Sequence, residues 1–167
     1  MTTASSPSFS HLDKKGMVSM VDIHGKDETW REAKAHGAVR MGDMLYNKVR
    51  RGNVMEKGDL WAVARVAGIM AAKQTSSLIP LCHHLALSHV AVDFSFDDKA
   101  RTVHIQGSCR LWGRTGAEME ALTAVSVAAL TLYDMCKALD KGIVITDIML
   151  LEKKGGTSGT YRHDTFA

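Results

Sequence analysis

From His89 to Phe96 apolar and polar residues alternate: Val90, Val92, Phe94 and Phe96 fall on one side, His89, Ala91, Asp93 and Ser95 on the other. Such a period of two predicts a strand with one face on a core. Asp97-Asp98-Lys99-Ala100 supplies a turn. The chain returns with Val103, Ile105, Cys109 and Leu111 on one face and Thr102, His104, Gln106, Ser108 and Arg110 on the other, which predicts a hairpin. A one-sided apolar face calls for a helical layer to cover it. Trp30 to Met41 predicts an earlier strand. Asp43 to Arg51 predicts a short helix with Met44, Leu45 and Val49 inward and Gly52 as its stop. Asp59 to Lys73 predicts a second helix, in which Ala64, Gly68 and Ala72 recur every four residues as a smooth stripe that lets another backbone come close. Thr115-Gly116-Ala117-Glu118 matches a capping box and opens a helix running to about Leu139, before Gly142. Ile143 to Leu151 predicts a last strand. The order βαββαβ is that of an α+β ferredoxin-like plait, an antiparallel sheet with helices packed on one face.

Composition bounds this picture. With 167 residues against ~150 per domain, the chain reads as one domain spanning 21–152. It is preceded by a Ser/Thr-rich flexible lead over 1–20 and followed by a Gly-rich basic tail over 153–167. Apolar residues at 46% and charged residues at 23% argue for a globular body. The longest apolar run, Ala121 to Tyr133, is broken by Thr123, Ser126 and Thr131 and is shorter than the ~18 residues of a membrane span, so no membrane is expected. A net charge of +3 lacks the dense basic field of a nucleic-acid-coating protein, but leaves room for a small anionic substrate. Cys82, Cys109 and Cys136 form no CxxC pair, which argues against a zinc knuckle or a disulfide framework and for a reducing, cytoplasmic compartment.

Several residues are candidates for chemistry. On the long helix Glu120, Thr123, Thr131 and Asp134 lie within about a third of the circumference, with Lys137 adjoining. They are either a solvated stripe with an Asp134–Lys137 pair or a carboxylate tuned by an ammonium for proton transfer. Glu118 serves either the helix end or a site, and a helix N-terminus beside Arg114 and Thr115 attracts an anion. In Cys82-His83-His84 neighbouring side chains of an extended segment point oppositely, so all three cannot hold one metal. Lys57 sits just before the second helix and Lys73 at its end; either reads as a solvated charge, and Lys73 also suits the helix C-terminus. Glu120 and Asp134 stand 14 residues apart on one helix, ~21 Å. If both are functional, the ligand is long or a second subunit completes the site.

Taken together, these motifs resemble one family in order and spacing. They are Lys57-Gly58-Asp59, Ala64-Arg65-Val66-Ala67-Gly68-Ile69, Ala71-Ala72-Lys73-Gln74-Thr75-Ser76 and Leu78-Ile79-Pro80-Leu81-Cys82-His83, then Gly113-Arg114-Thr115-Gly116-Ala117-Glu118-Met119-Glu120-Ala121-Leu122-Thr123-Ala124 and Tyr133-Asp134-Met135-Cys136-Lys137-Ala138. The chain from about Met20 to Gly159 resembles the MoaC proteins of molybdenum-cofactor biosynthesis. The resemblance implies a lyase that converts a cyclised dihydro-GTP intermediate to cyclic pyranopterin monophosphate with release of diphosphate. It implies Asp134 as catalytic acid/base with Lys137 as its partner, and Lys57, Lys73, His83, Glu118 and Glu120 in the same site. Leu81, Cys82, His83, Met119 and Glu120 then contact substrate. It further implies a homo-oligomer, a hexamer built as a trimer of dimers, with sites between chains. No resident cofactor or metal is expected, and Mg²⁺ accompanying the triphosphate stays open. The chain departs from the family pattern at His84, where proline is usual, and at Thr157, where a basic residue is usual.

Two rival classes remain at this level. A nucleic-acid-binding plait needs aromatics on its open strand face for stacking, whereas the hairpin offers His89, Asp93, Thr102, His104 and Gln106. A non-catalytic oligomeric nucleotide-binding plait would not need Asp134, Lys137, His83 and Glu120 together.

Overall fold

The computed structural model describes residues 11–13, 15–51, 59–157 and 159–164. Its elements run β1 (Thr29–Arg40), α1 (Asp43–Arg50), α2 (Leu60–Lys73), α3 (Thr75–Leu78), β2 (His89–Asp97), β3 (Thr102–Gly113), α4 (Glu118–Cys136), β4 (Val144–Lys154) and β5 (Tyr161–Arg162). The sheet is antiparallel with order β2-β3-β1-β4-β5, and α2 and α4 cover one face. This is the plait expected from the order of elements. The expected hairpin forms, and its register runs from His89 opposite Arg110 to Asp97 opposite Thr102.

Small residues set how closely the layers approach. A Cβ on Gly68 of α2 would stand 2.7 Å from the carbonyl oxygen of Ala124 and 3.3 Å from Ala128 Cβ, so α2 lies backbone to backbone on α4. On the sheet, a Cβ on Gly107 would meet Val125 at 2.8 Å and the Ala121 carbonyl at 3.1 Å. The expected Ala64, Gly68 and Ala72 stripe is buried against α4. Val103, Ile105, Val125 and Leu132 are fully buried between the layers, each contributing about 1.5–3 kcal/mol. By length and composition α4 is apolar enough to cross a bilayer, but its Ala121, Ala124, Val125, Ala128, Ala129 and Leu132 face this core.

Five local features differ from the sequence reading. Met44 of α1, expected inward, is 71% exposed, while Leu45 and Val49 are buried together with Tyr46. The capping box does not form: the N-cap is Ala117, without a side-chain cap bond, and Glu118 is the first helical residue. Its carboxylate turns instead to Lys153 Nζ at 3.0 Å. α4 ends at Cys136 rather than near Leu139, as Leu139 and Asp140 both donate back to the Cys136 carbonyl in a closing turn. Lys153 and Lys154 belong to β4 rather than to a tail, and Tyr161–Arg162 adds β5 alongside. Finally, the open sheet face carries two aromatics the hairpin pattern did not show. Trp30 and Trp112 are cross-strand partners at one end of it, 43% and 66% exposed.

Elsewhere that face is a ladder of ion pairs. Glu32 is held by Arg110 at 2.7 Å. Glu152 meets Lys154 and Arg162 at 2.9 Å each and Lys34 at 3.4 Å. The Lys154 bond, followed by that of Arg162, draws the Glu152 carboxyl down to about 2. The N-terminal lead is described from residue 11, where Leu12 and Val18 form an isolated bridge.

Candidate functional site

The two ends of α4 present different chemistry. Its N-terminal end sits between the start of β1, the end of β3 and the end of β4. Arg31 of β1 donates to the carbonyls of Gly113 and Arg114 at 3.3 and 3.4 Å, fastening the β3–α4 connection. A cavity of about 520 Å³ opens here. Five cations, Lys26, Arg31, Arg114, Lys153 and Lys154, line it against the carboxylates of Asp27, Glu32 and Glu118. Gly155 and Gly156 close one side at φ +92° and +80°, where a Cβ would strike the Trp30 carbonyl and the Arg31 guanidinium. Glycine is the residue that tolerates both this backbone and this contact. Among the described residues, two buried side-chain polar atoms lack a hydrogen bond, Thr29 Oγ1 and Arg114 Nε, and both residues line this cavity; the Glu28 carboxylate lies 3.7 Å from Arg114 Nε, an ion pair beyond hydrogen-bond reach. A buried polar atom without a partner is costly unless a ligand or water meets it.

Glu120 lies one turn into α4 and is 4% exposed. Burial pushes its carboxyl up to about 7, and the nearby Glu118 charge adds to the rise. The segment after α3 packs at this end. Burial, and then the Glu120 charge, raises the Cys82 thiol above its ordinary value. On the sheet side, burial and then Glu120 push Cys109 up to about 12. His83 Nε2 donates to the Val21 carbonyl at 2.9 Å. Leu81, Cys82 and His83 are half-buried, and Met119 is exposed. α2 starts with Trp61 against Phe94 and Phe96, ring centroids 5.2 Å apart in both cases, near the β2–β3 turn. Its other end, with the exposed Lys73, therefore faces the Glu120 region.

Asp134 and Lys137 form an ion pair of 2.6 Å at the far end of the same helix, both exposed. The hydrogen bond and charge of Asp134 hold Lys137 above its ordinary value. α4 is unbroken from Glu118 to Cys136, so the pair stands ~21 Å from Glu120 along the axis. The stripe Glu120, Thr123, Thr131 and Asp134 is thus not uniformly solvated: Glu120 and Thr123 are buried, and only Asp134 is exposed. A single chain brings Lys73, Leu81, Cys82, His83, Glu118, Met119 and Glu120 to one end and keeps Asp134 and Lys137 at the other. Lys57 lies outside the described residues. Among the described residues, no group of three or more His, Cys, Asp or Glu is placed to hold a metal ion.

Arg31 and the Gly155–Gly156 pair are cavity residues the sequence reading did not select. Two consecutive glycines after two lysines were a visible turn signal. The role of Arg31 was not visible, because it depends on which loop ends beside β1.

Because Glu120 binds a proton more tightly when folded, it favours the folded state below the ordinary carboxylate range. That stability is lost as pH rises towards about 7. Glu120→Gln is expected to remove this dependence. Its urea midpoint should rise relative to the unsubstituted chain between pH 5 and 8, by up to about 3 kcal/mol in stability. Parallel pH profiles for the two proteins would contradict a buried, proton-loaded carboxyl.

Comparison with known proteins agrees in extent. The family model described as "MoaC family" matches residues 20–156. The chain is 56% identical over 153 residues to the cyclic pyranopterin monophosphate synthase of Heliobacterium modesticaldum, covering 92% of this chain and 96% of that one. It is 52% identical over 159 residues to the protein of that name from Bordetella petrii, covering 95% of this chain and 98% of the relative. For the protein of that name from Roseiflexus sp. the identity is 54% over 156 residues, with 93% and 98% covered.

Proposed function

From the premise that this chain belongs to the MoaC family, we propose that it converts the cyclised dihydro-GTP intermediate to cyclic pyranopterin monophosphate and releases diphosphate, a lyase step of molybdenum-cofactor biosynthesis. One observation in the structure supports this reading above others. Glu118 lines a polycationic cavity, and two residues further along α4 burial raises the Glu120 carboxyl to about 7. Closing a cyclic phosphate by expelling diphosphate needs positive charge on the leaving oxygens. Lysines supply it as point charges and arginines as planar forks. Opening and reclosing the purine-derived ring needs protons moved at several atoms, which suits Glu118, Glu120 and His83 at one end and Asp134 with Lys137 at the other. The conversion has no net redox step, so its chemistry calls for no flavin, nicotinamide or iron–sulfur centre. Mg²⁺ enters this proposal only as a counter-ion of the triphosphate.

The separation along α4 supports an assembly in which one chain's Asp134 and Lys137 complete the Glu120 site of another, in a hexamer built as a trimer of dimers. The helical layer exposes Val63, Val66 and Met70 of α2 and Leu130 of α4, apolar side chains suited to a face between copies. We place the reaction in the cytoplasm, where GTP-derived substrates arise.

Incubation with the cyclised intermediate, followed by mass spectrometry, tests the function. The pterin monophosphate and one equivalent of diphosphate should appear together, and unchanged substrate would refute the reading. Lys73→Ala should weaken GTP binding by about tenfold and GMP binding far less, because the lost charge faces the outer phosphates. Equal losses for both nucleotides in calorimetry would make Lys73 a surface charge only.

A further inference from the structure

The chain ahead of β1 is pinned to the site at two points. Val21 accepts a hydrogen bond from His83 Nε2 at 2.9 Å. Three residues on, the His24 carbonyl accepts from Arg114 Nη1 at 3.4 Å, and Glu28 pairs with the same guanidinium at 3.7 Å. Between the pins the backbone is shaped locally. Asp22 Oδ1 accepts from the His24 amide at 2.8 Å, and the Lys26 amide donates to the Ile23 carbonyl at 3.1 Å. Gly25, Lys26 and Asp27 of this stretch line the cavity. Residues Val21 to Glu28 thus form a strap from the Cys82–His83 segment to the start of α4.

The Val21 contact has a chemical consequence. A carbonyl oxygen only accepts hydrogen bonds, so the ring nitrogen facing it must carry the hydrogen. In a neutral imidazole the other nitrogen then bears the lone pair. We propose that Val21 is a positioning residue for the reaction: its carbonyl holds His83 in one ring orientation as the Nε2–H tautomer, leaving Nδ1 as the acceptor for a substrate proton. This rests on the reading of His83 as a residue of the site. The tether comes from main chain, so it is insensitive to the identity of residue 21. It is lost only if the strap moves or the carbonyl weakens.

The test uses the full chain. With ¹⁵N-labelled histidine, the His83 signals are assigned by their loss in His83→Gln. At a pH where the ring is neutral they should show a protonated Nε2 and an unprotonated Nδ1. A protonated Nδ1, or an averaged mixture, overturns the proposal. In a second protein the amide between Val21 and Asp22 is replaced by an ester, using the α-hydroxy acid at position 22. An ester carbonyl is a weaker acceptor, with no side chain altered. This protein should retain KM within about twofold while kcat falls about fivefold, the scale of one neutral hydrogen bond, and its ring signals should move towards a mixture. Unchanged kcat and ring signals in the ester protein also overturn the proposal. If the unmodified chain does not turn over the cyclised intermediate, the function reading fails, whereas the ring signals still decide the tether.

Discussion

Replacing Asp134 with asparagine is expected to lower turnover by about a hundredfold or more, while Tm and oligomeric state stay as they are. The side chain of Asp134 is 71% exposed and its ion pair with Lys137 is solvated at the end of α4. Such pairs contribute little to stability, so the change should not disturb the fold. The carboxamide keeps the shape and the capacity to hydrogen-bond. It cannot take up a proton, and it no longer raises the Lys137 ammonium above its ordinary value. Substrate binding should change much less than kcat, because the loss falls on proton transfer. A folded Asp134→Asn protein with near-normal turnover would remove Asp134 from the mechanism.

Mixing two inactive proteins should restore activity. Asp134→Asn alters the C-terminal end of α4, and His83→Ala alters the segment beside its N-terminal end, where Cys82 lies within the field of Glu120. If each site draws one end from each chain, a mixed dimer has one site carrying both changes and one carrying neither. Random mixing makes half the dimers mixed, so ~25% of the original activity should return from a near-zero baseline in a symmetric, isologous arrangement. Native mass spectrometry verifies subunit exchange. Exchange without any recovery would show that one chain supplies both residues, and that the ~21 Å between the two ends of α4 is bridged some other way.

Much of the fold was legible because period and punctuation are local. The hairpin was readable from alternation over His89–Phe96 and Val103–Leu111, and the close approach of some backbone to α2 from three small residues at a spacing of four; that the backbone is α4's came from packing. The start of α4 was misread for an equally local reason. Thr115 and Glu118 have capping-box spacing, but a lysine 35 residues later offers Glu118 a charge-assisted partner, which no window of ten residues contains. The choice between a solvated stripe and a tuned carboxylate on α4 was not local either. Glu120 and Asp134 share a helical face, yet the Cys82 segment packs near one and leaves the other open to solvent.

The βαββαβ order, the candidate carboxylates, histidine and lysines, and the axial distance between Glu120 and Asp134 follow from residue types and their spacing along one chain. Spacing along a helix converts directly to length, and a period of two converts directly to a buried face. The cavity, the raised pKa of Glu120, the Arg31 clasp and the Val21–His83 tether do not. Each is made where segments distant in sequence meet, Thr29–Arg31 with Gly113–Glu118 and Lys153–Gly156, and Val21 with His83. Burial and charge at such a junction depend on every neighbour at once. What the packed sheet and loops place over Glu120 decides how far burial raises its carboxyl.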